Sequence, residues 1–584
     1  MKKAQKVEKI FKPTKYLLKY KFMTFFVPFL KALEATTEII VPFLISLIID
    51  VGIKNNDTKY ILTFSLIAIS LNIFAISCAL LAQHFASITV ERMAQDMRRD
   101  IFSHINSLSY AELDKFSTAG LMNRTVEDVF QIKNGTGSLL RTTIRIPFLI
   151  VGSLVMALTV NAKLSLVFLV ISPILLTCVI LIISKIGPLL HKSKVLTDKA
   201  SEITRENLTG VRVVRAFNKQ NFEKERFYES NYALVNNELK LGALAAALPS
   251  IIYTIVNFAI IAIIYFGAFQ INVGGLSQGN LIAFINYFGK ISVALVSITR
   301  LVSIYVRMNT SSKRINEIFL LKNSITDPEK PIEIDTTNPN FGSVEFVNVS
   351  FSYNNIKNVI YDVSIKANPG ETIGIIGGTG SGKSSLAYLI PRFYDVSKGS
   401  ILIGGENIKK YKVNELRQII GIVPQNPTLF EGTIYSNLCW RKNDATEEEL
   451  IRALKISQSY DFVKEYPDFL KHKVNRGGTN FSGGQKQRLT IARALVNNPK
   501  ILILDDSSSA LDFATDAKLR KSIKQNLKDT TTFIISQRTN SIKDADKIIV
   551  LDNGYVAGIG THEELLNNCS IYKEIHDSQS KEVS

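Results

Sequence analysis

Two stretches of this sequence carry residue types spaced for phosphate chemistry. The first is Gly377-Gly378-Thr379-Gly380-Ser381-Gly382-Lys383-Ser384, followed by Ser385. It fits G-x-x-x-x-G-K-[ST], in which glycines let the backbone curl until its N–H groups point at phosphate oxygens. In that pattern Lys383 reaches the outer phosphates and the Ser384 hydroxyl holds Mg²⁺. The second is the apolar run 501–504 closed by Asp505. A carboxylate at the end of a buried strand is the companion that P-loop enzymes use to hold the same ion. Together they imply a site for a nucleoside triphosphate.

The elements needed to position these groups are also legible. The run 372–376 reads as a buried strand entering the loop, and 385–390 opens a helix after it, whose N-terminus favours phosphate. Runs 532–536 and 548–551 read as further strands of one sheet, giving a soluble α/β domain. Ahead of it, 323–340 contains Pro328, Pro331 and Pro339 among polar residues, the composition of a linker.

The rest of the chain is of another kind. At 584 residues it exceeds what one core can organise, so two or more domains are expected. Six apolar stretches, at 22–49, 60–88, 138–160, 164–185, 244–270 and 280–306, are each near the length of a membrane-spanning helix. No small-residue cleavage site follows the first, which is therefore read as a span rather than a signal peptide. The excess of 69 Lys+Arg over 51 Asp+Glu gives a formal charge of +18. Much of it lies beside these spans: Lys2, Lys3, Lys6, Lys9, Lys12, Lys15, Lys19 and Lys21 precede the first. This is the positive-inside pattern. It puts the N-terminus in the cytoplasm and membrane lipid around the spans, and with no RNA-binding signature it gives nucleic acid no role as partner. The connections 89–137 and 186–243 are long, polar and basic, and read as helices continuing into the cytoplasm. Cys78, Cys178, Cys439 and Cys569 are scattered, without disulfide or zinc spacing.

Ionisable residues also fall inside the spans: Glu34, Glu38, Arg141, Arg145, Lys290 and Arg300. Charge at membrane depth is costly, so such groups face a bundle interior or a watery cavity, pair with one another, or snorkel to an interface. Glu34 and Glu38 are four apart and share a helix face. If they line a substrate path, they favour cationic cargo.

The cassette half resembles the ATP-binding-cassette proteins. Phe481-Ser482-Gly483-Gly484-Gln485 is similar to their signature motif, and Tyr353 to the aromatic that stacks on adenine. Gln425 is similar to the glutamine that senses Mg²⁺ and meets the membrane domain, and Ser509-Ala510-Leu511-Asp512 to the loop linking two nucleotide sites across a dimer. Thr118-Ala119-Gly120-Leu121 and the stretch 210–217 resemble the coupling regions of exporter half-transporters. The resemblance implies a six-helix transmembrane domain of exporter type over 1–321, a linker over 322–340, and an α/β P-loop cassette over 341–584. It implies ATP and Mg²⁺ as cofactors, and a second half-transporter as partner. It also implies ATP-driven export of amphipathic small molecules or lipids across the cytoplasmic membrane. In such a pair, each signature caps the γ-phosphate bound by the opposite cassette.

Two positions of the hydrolytic site, and one outside it, depart from the family pattern. Asp506 stands where active members carry a glutamate that polarises the attacking water, and Gln537 where they carry a histidine. Aspartate is a methylene shorter, and glutamine cannot become a cation beside the γ-phosphate. Asn475 stands where exporters often have glutamate. With the signature intact, this combination resembles the impaired-site subunit of a heterodimeric exporter. A homodimer in which Asp506 serves as a slow base stays open, as does a regulatory nucleotide-binding membrane subunit.

Overall fold

The computed structural model describes residues 12–335, 337–353 and 356–580; Lys2, Lys3, Lys6 and Lys9 lie outside them. The chain forms two compact units, Met1–Asn106 with Thr118–Leu321, and Ser107–Ser117 with Lys322–Ser584.

Among the described residues the first unit has 6 helices long and apolar enough to cross a membrane: Lys21–Ile53, Thr58–Ser107, Thr118–Val160, Ala162–Thr209, Gln220–Asn272 and Gln278–Phe319. Each contains one of the expected spans. The second, fourth and fifth extend well past it, because the polar connections carry strong helix formers and few breakers between Thr89 and Ser107 or between Gln220 and Leu241. Only 11% of the apolar window of the second helix is enclosed, against 39% for the last. The last helix is therefore the packing centre of the unit, and Leu62, Leu66, Ile69 and Ile73 of the second leave their side chains to lipid or to another chain. Small residues let helices approach closely: a Cβ on Gly135 would come within 2.7 Å of Met308. Asp128 pairs with Arg314 through two bonds, one of 3.0 Å from Nε, and Asp50 accepts from the Gly279 N–H at 2.8 Å.

In the second unit a four-stranded antiparallel sheet has the order β2-β1-β4-β5, where β1 is Val344–Phe351, β2 Ile360–Ala367, β4 Lys398–Ile403 and β5 Glu406–Asn407. A six-stranded sheet contains β3 (Thr372–Gly377), β6 (Ile420–Val423), β7 (Ile501–Asp505), β8 (Thr531–Ile535), β9 (Lys547–Asp552) and β10 (Tyr555–Gly560). Its order is β10-β9-β3-β8-β7-β6, parallel except for β10. Parallel strands are covered on both faces, which is why Ile501–Leu504 and Ile373–Ile376 read as unbroken apolar runs rather than alternations. β8 lies between β3 and β7 in register, Ile535 opposite both Ile375 and Asp505, so the carboxyl ends of all three strands open on one crevice.

Two segments join this unit from outside the expected cassette. The linker stretch is bonded to it: Ile332 bridges Tyr411, and Asp327 accepts from the Val413 N–H at 2.8 Å. The short helix Tyr110–Leu113 packs its Tyr110 ring 4.6 Å from that of Phe393, and Tyr394 donates to Asp114 at 2.6 Å. The docked segment thus ends just before Thr118–Leu121, the stretch that the resemblance marks for coupling.

Candidate nucleotide site

The loop after β3 is shaped by what its glycines avoid. Gly377 has φ 155°, and a Cβ there would lie 2.0 Å from the Leu551 carbonyl oxygen. Gly382 has φ 96°, and a Cβ would meet Ile360 at 2.6 Å. Any side chain at either position clashes, so the tight curl depends on both. Gly378 and Gly380 have open space beside them, the side from which a phosphate would approach.

Lys383, the first residue of the helix Lys383–Leu389, folds back to donate to the carbonyls of Gly377 at 2.8 Å and Gly378 at 2.7 Å. Burial pushes its ammonium pKa down, and the carboxylates of Asp506 and Asp505 oppose that shift. The ammonium is held in the loop that would surround the phosphates.

Ser384 donates to Asp505 Oδ1 at 2.9 Å. Asp505 is 1% exposed, and burial raises its pKa above the usual carboxylate range. Its Oδ2 is buried and takes no hydrogen bond within 3.5 Å among the described residues, although the Tyr388 hydroxyl stands close enough to act on the carboxylate. A buried carboxylate oxygen left over beside a hydroxyl is what a cation would complete. Gln425 lines the same cleft, donating from Nε2 to Asp506 Oδ2 at 3.3 Å, which leaves its amide oxygen without a hydrogen bond among the described residues. Hydroxyl, carboxylate and amide make an all-oxygen donor set that suits Mg²⁺. Among the described residues no group of three or more His, Cys, Asp and Glu could cage a metal, so such an ion would take its remaining ligands from phosphate and water.

Asp506 has φ 45°, a left-handed turn that aspartate tolerates better than most residues. The turn is pinned by the Asp506 N–H donating to Ile535 O at 2.9 Å and by Ser509 Oγ donating to Asp506 O at 2.9 Å. Gln537 follows β8, its side chain exposed on the same cleft. Tyr353 places its hydroxyl 2.8 Å from Ser385 Oγ; the residue is 48% exposed, its ring edge-on to Phe351 and Tyr394.

The cleft is lined by Val359, Gly382, Lys383, Ser384, Gln425, Asp505, Asp506 and Gln537 among others, and measures about 270 Å³, small for a site that encloses its ligand. Ser482, Gly483, Gly484 and Gln485 are not in its wall. They open the helix Gly483–Leu495, where Ser482 Oγ accepts from the Gln485 N–H at 3.3 Å and Gln485 Oε1 accepts from the Ser482 N–H at 2.9 Å. This reciprocal cap fixes a helix start at which Ser482 and Gly483 are exposed, the kind of N-terminus that favours an anion. Asp512 spends both carboxylate oxygens on Thr515, capping Phe513–Asn526, and its pKa is held down by those bonds, the backbone one first.

Residues 24–295 match the ABC transporter transmembrane region family and residues 360–509 the ABC transporter family. An uncharacterised ABC transporter ATP-binding protein of Mycobacterium tuberculosis is 35% identical over 94% of this chain and 95% of its own length. The chain belongs to the ABC transporter family. A proposed multidrug export ATP-binding/permease protein of Bacillus subtilis is 32% identical over 96% of this chain and 97% of its own. An ATP-dependent lipid A-core flippase of Chromobacterium violaceum is 28% identical over 94% of each. A bacterial Atm1-family ABC exporter with ATP bound shares the fold, with a TM-score of 0.78 and 24% identity over 97% of this chain and 98% of its own. This ABC protein is a half-transporter: one membrane domain and one cassette, a multi-pass membrane protein with its ATPase cassette in the cytoplasm.

Two residues near the site escaped the sequence reading. Tyr388 lies four residues after Ser384, one turn along the same helix face, and that spacing was a usable signal. Burial, then the Asp505 charge, push its phenol well up. Gln579, on the C-terminal helix Ser570–Ser580, had no such signal. Its Oε1 accepts from Thr539 N–H at 2.9 Å and Oγ1 at 3.0 Å, and its Nε2 donates to the Gln537 carbonyl at 2.7 Å. Replacing Gln579→Ala is expected to lower the thermal midpoint of the protein by a few degrees, since each lost bond contributes about 1 kcal/mol net. Differential scanning fluorimetry checks this, with unchanged melting showing that the clamp carries no stability.

Proposed function

We propose that this ABC half-transporter pairs with a second, non-identical half and exports amphipathic small molecules or lipids, its own P-loop binding ATP but hydrolysing it weakly. The observation that carries this reading is the pair at the hydrolytic position. Asp506 is a short carboxylate on a pinned turn, engaged by Gln425, and Gln537 offers an amide where a cation would help. The names of the Bacillus and Chromobacterium relatives support the cargo class.

In this reading Gly377–Ser385 would cradle the phosphates and Tyr353 would stack on adenine. Ser384, Asp505 and Gln425 would hold Mg²⁺, which supplies charge neutralisation of the phosphates. Asp506 would hold the attacking water loosely. Ser482, Gly483, Gly484 and Gln485 would complete the partner's site, with Ser509 and Asp512 on the connection between the two. ATP then joins the cassettes, and their separation biases the membrane helices between two states. Glu34 and Glu38 would belong to the substrate path.

Purified alone, the chain is expected to show little ATPase activity, and co-expression with its partner to restore turnover. Because Asp506 does line the cleft, a homodimer with slow aspartate-based hydrolysis is the second reading. Robust activity from the chain alone, abolished by Asp506→Asn, would establish it instead.

A further inference from the structure

Five charged side chains meet in the membrane unit, and their pairing fixes the sign of the cluster. Lys31, Glu34 and Glu38 lie on the first membrane helix, Arg145 begins Arg145–Val160, and Lys290 sits on Gln278–Phe319. Glu34, 7% exposed, has Lys31 Nζ at 2.5 Å and Arg145 Nε at 3.3 Å. Glu38 has Arg145 Nη2 at 2.7 Å. Both carboxylates are thus neutralised by cations of the chain itself, and no charge is left over for a cationic cargo.

The surplus is positive. Lys290 is half-buried, and the charges that act on it are Glu38 and Arg145, yet among the described residues it forms no ion pair or hydrogen bond. Arg145 Nε is likewise buried without a hydrogen bond, its contact to Glu34 being an ion pair of poor hydrogen-bond geometry. Three cations face two carboxylates, and two cationic donors are unsatisfied at membrane depth, where such groups mark a substrate path.

We propose that this cluster receives the anionic head, a carboxylate or phosphate, of an amphipathic substrate, with Lys290 as its counter-ion and Arg145 Nε as a second donor. The inference rests on the exporter reading and names the charge of its cargo. It reverses the expectation drawn from Glu34 and Glu38 alone. The chain of the ligand would lie among the apolar faces of the three helices, and its head would supply the charge and the acceptors that the cluster lacks.

The test uses the assembled transporter in phosphatidylcholine nanodiscs, with radiolabelled laurate as probe and lauryl phosphate, lauryl trimethylammonium and lauryl maltoside as competitors of one chain length. Laurate should bind saturably, and lauryl phosphate should displace it far better than the cationic or neutral compound. Lys290→Met should weaken laurate binding about tenfold or more, as loss of a charge-assisted bond does, and Lys290→Arg should restore it. Glu38→Gln, which removes a negative charge from the cluster, should tighten laurate binding, the opposite of what a cation site would show. Displacement by phosphatidylglycerol added to the disc assigns the head group to a bilayer lipid, and its failure to displace assigns it to a soluble amphiphile. Equal displacement by all three competitors, or binding indifferent to Lys290→Met and weakened by Glu38→Gln, overturns the proposal. The exporter reading is tested separately by ATP-dependent movement of the same labelled amphiphiles into inverted vesicles. Movement that ignores head-group charge refutes the anion site alone, whereas Lys290-dependent binding without movement refutes export alone.

Discussion

In the assembled transporter, Ser482→Arg is expected to stop ATP turnover almost completely while this chain's own P-loop still binds nucleotide. Ser482 starts the helix Gly483–Leu495 and lies outside the wall of the chain's own cleft. In the proposed pairing its hydroxyl and the following N–H groups would act on a phosphate bound by the partner, and an arginine there would fill the space that phosphate needs. Losing one positioned donor to developing charge costs about 10²–10³ in rate, and obstruction of the interface adds to that. The substitution also removes an N-cap contributing about 1 kcal/mol, which shifts the melting temperature by only a few degrees in a domain of this size. Turnover, photolabelling of this P-loop with an azido-ATP, and melting are read together. Loss of labelling at this chain's own loop in parallel with turnover would place Ser482 within the chain's own site and end the two-chain reading.

Restoring both departures, Asp506→Glu with Gln537→His, is expected to raise hydrolysis at this chain's P-loop by about 10²-fold or more, the scale of a positioned base. The added methylene carries the carboxylate past its contact with Gln425, 3.3 Å away, and the exposed position of Gln537 accommodates an imidazole on the cleft. Single-turnover hydrolysis in an assembly whose partner P-loop lysine is replaced isolates this site. Nucleotide bound but no faster hydrolysis would show that the turn at Asp506, pinned by Ile535 and Ser509, limits the reaction rather than the side chains.

What the sequence disclosed and withheld follows from distance along the chain. Gly377–Ser385 and Asp505 sit at the ends of unbroken apolar runs, and short-range pattern suffices to place them on one crevice once β3 and β7 are strands. The membrane helices were legible by hydropathy, but their cytoplasmic extensions to Ser107 and Thr209 depend on helix propensity over polar sequence. Contacts between distant segments left no trace. Gln579 reaches Gln537 across 42 residues and Tyr394 reaches Asp114 across 280. Glu34 and Glu38 illustrate the limit most clearly: their i, i+4 spacing fixes a shared face and Lys31 lies one turn from Glu34, but only the relative rotation of two helices shows that Arg145 reaches both carboxylates.

The central claim is that this chain binds ATP at a site that contributes little to turnover. It is tested most directly by the steady-state ATPase rate of the assembled transporter carrying Asp506→Asn, measured beside an assembly lacking the partner's catalytic glutamate. A retained rate for Asp506→Asn, within about threefold of the unaltered assembly, beside a loss of about 10²–10⁴-fold for the partner substitution, is the predicted result. An Asp506→Asn assembly as inactive as the one lacking the partner's glutamate would contradict it and make this site catalytic.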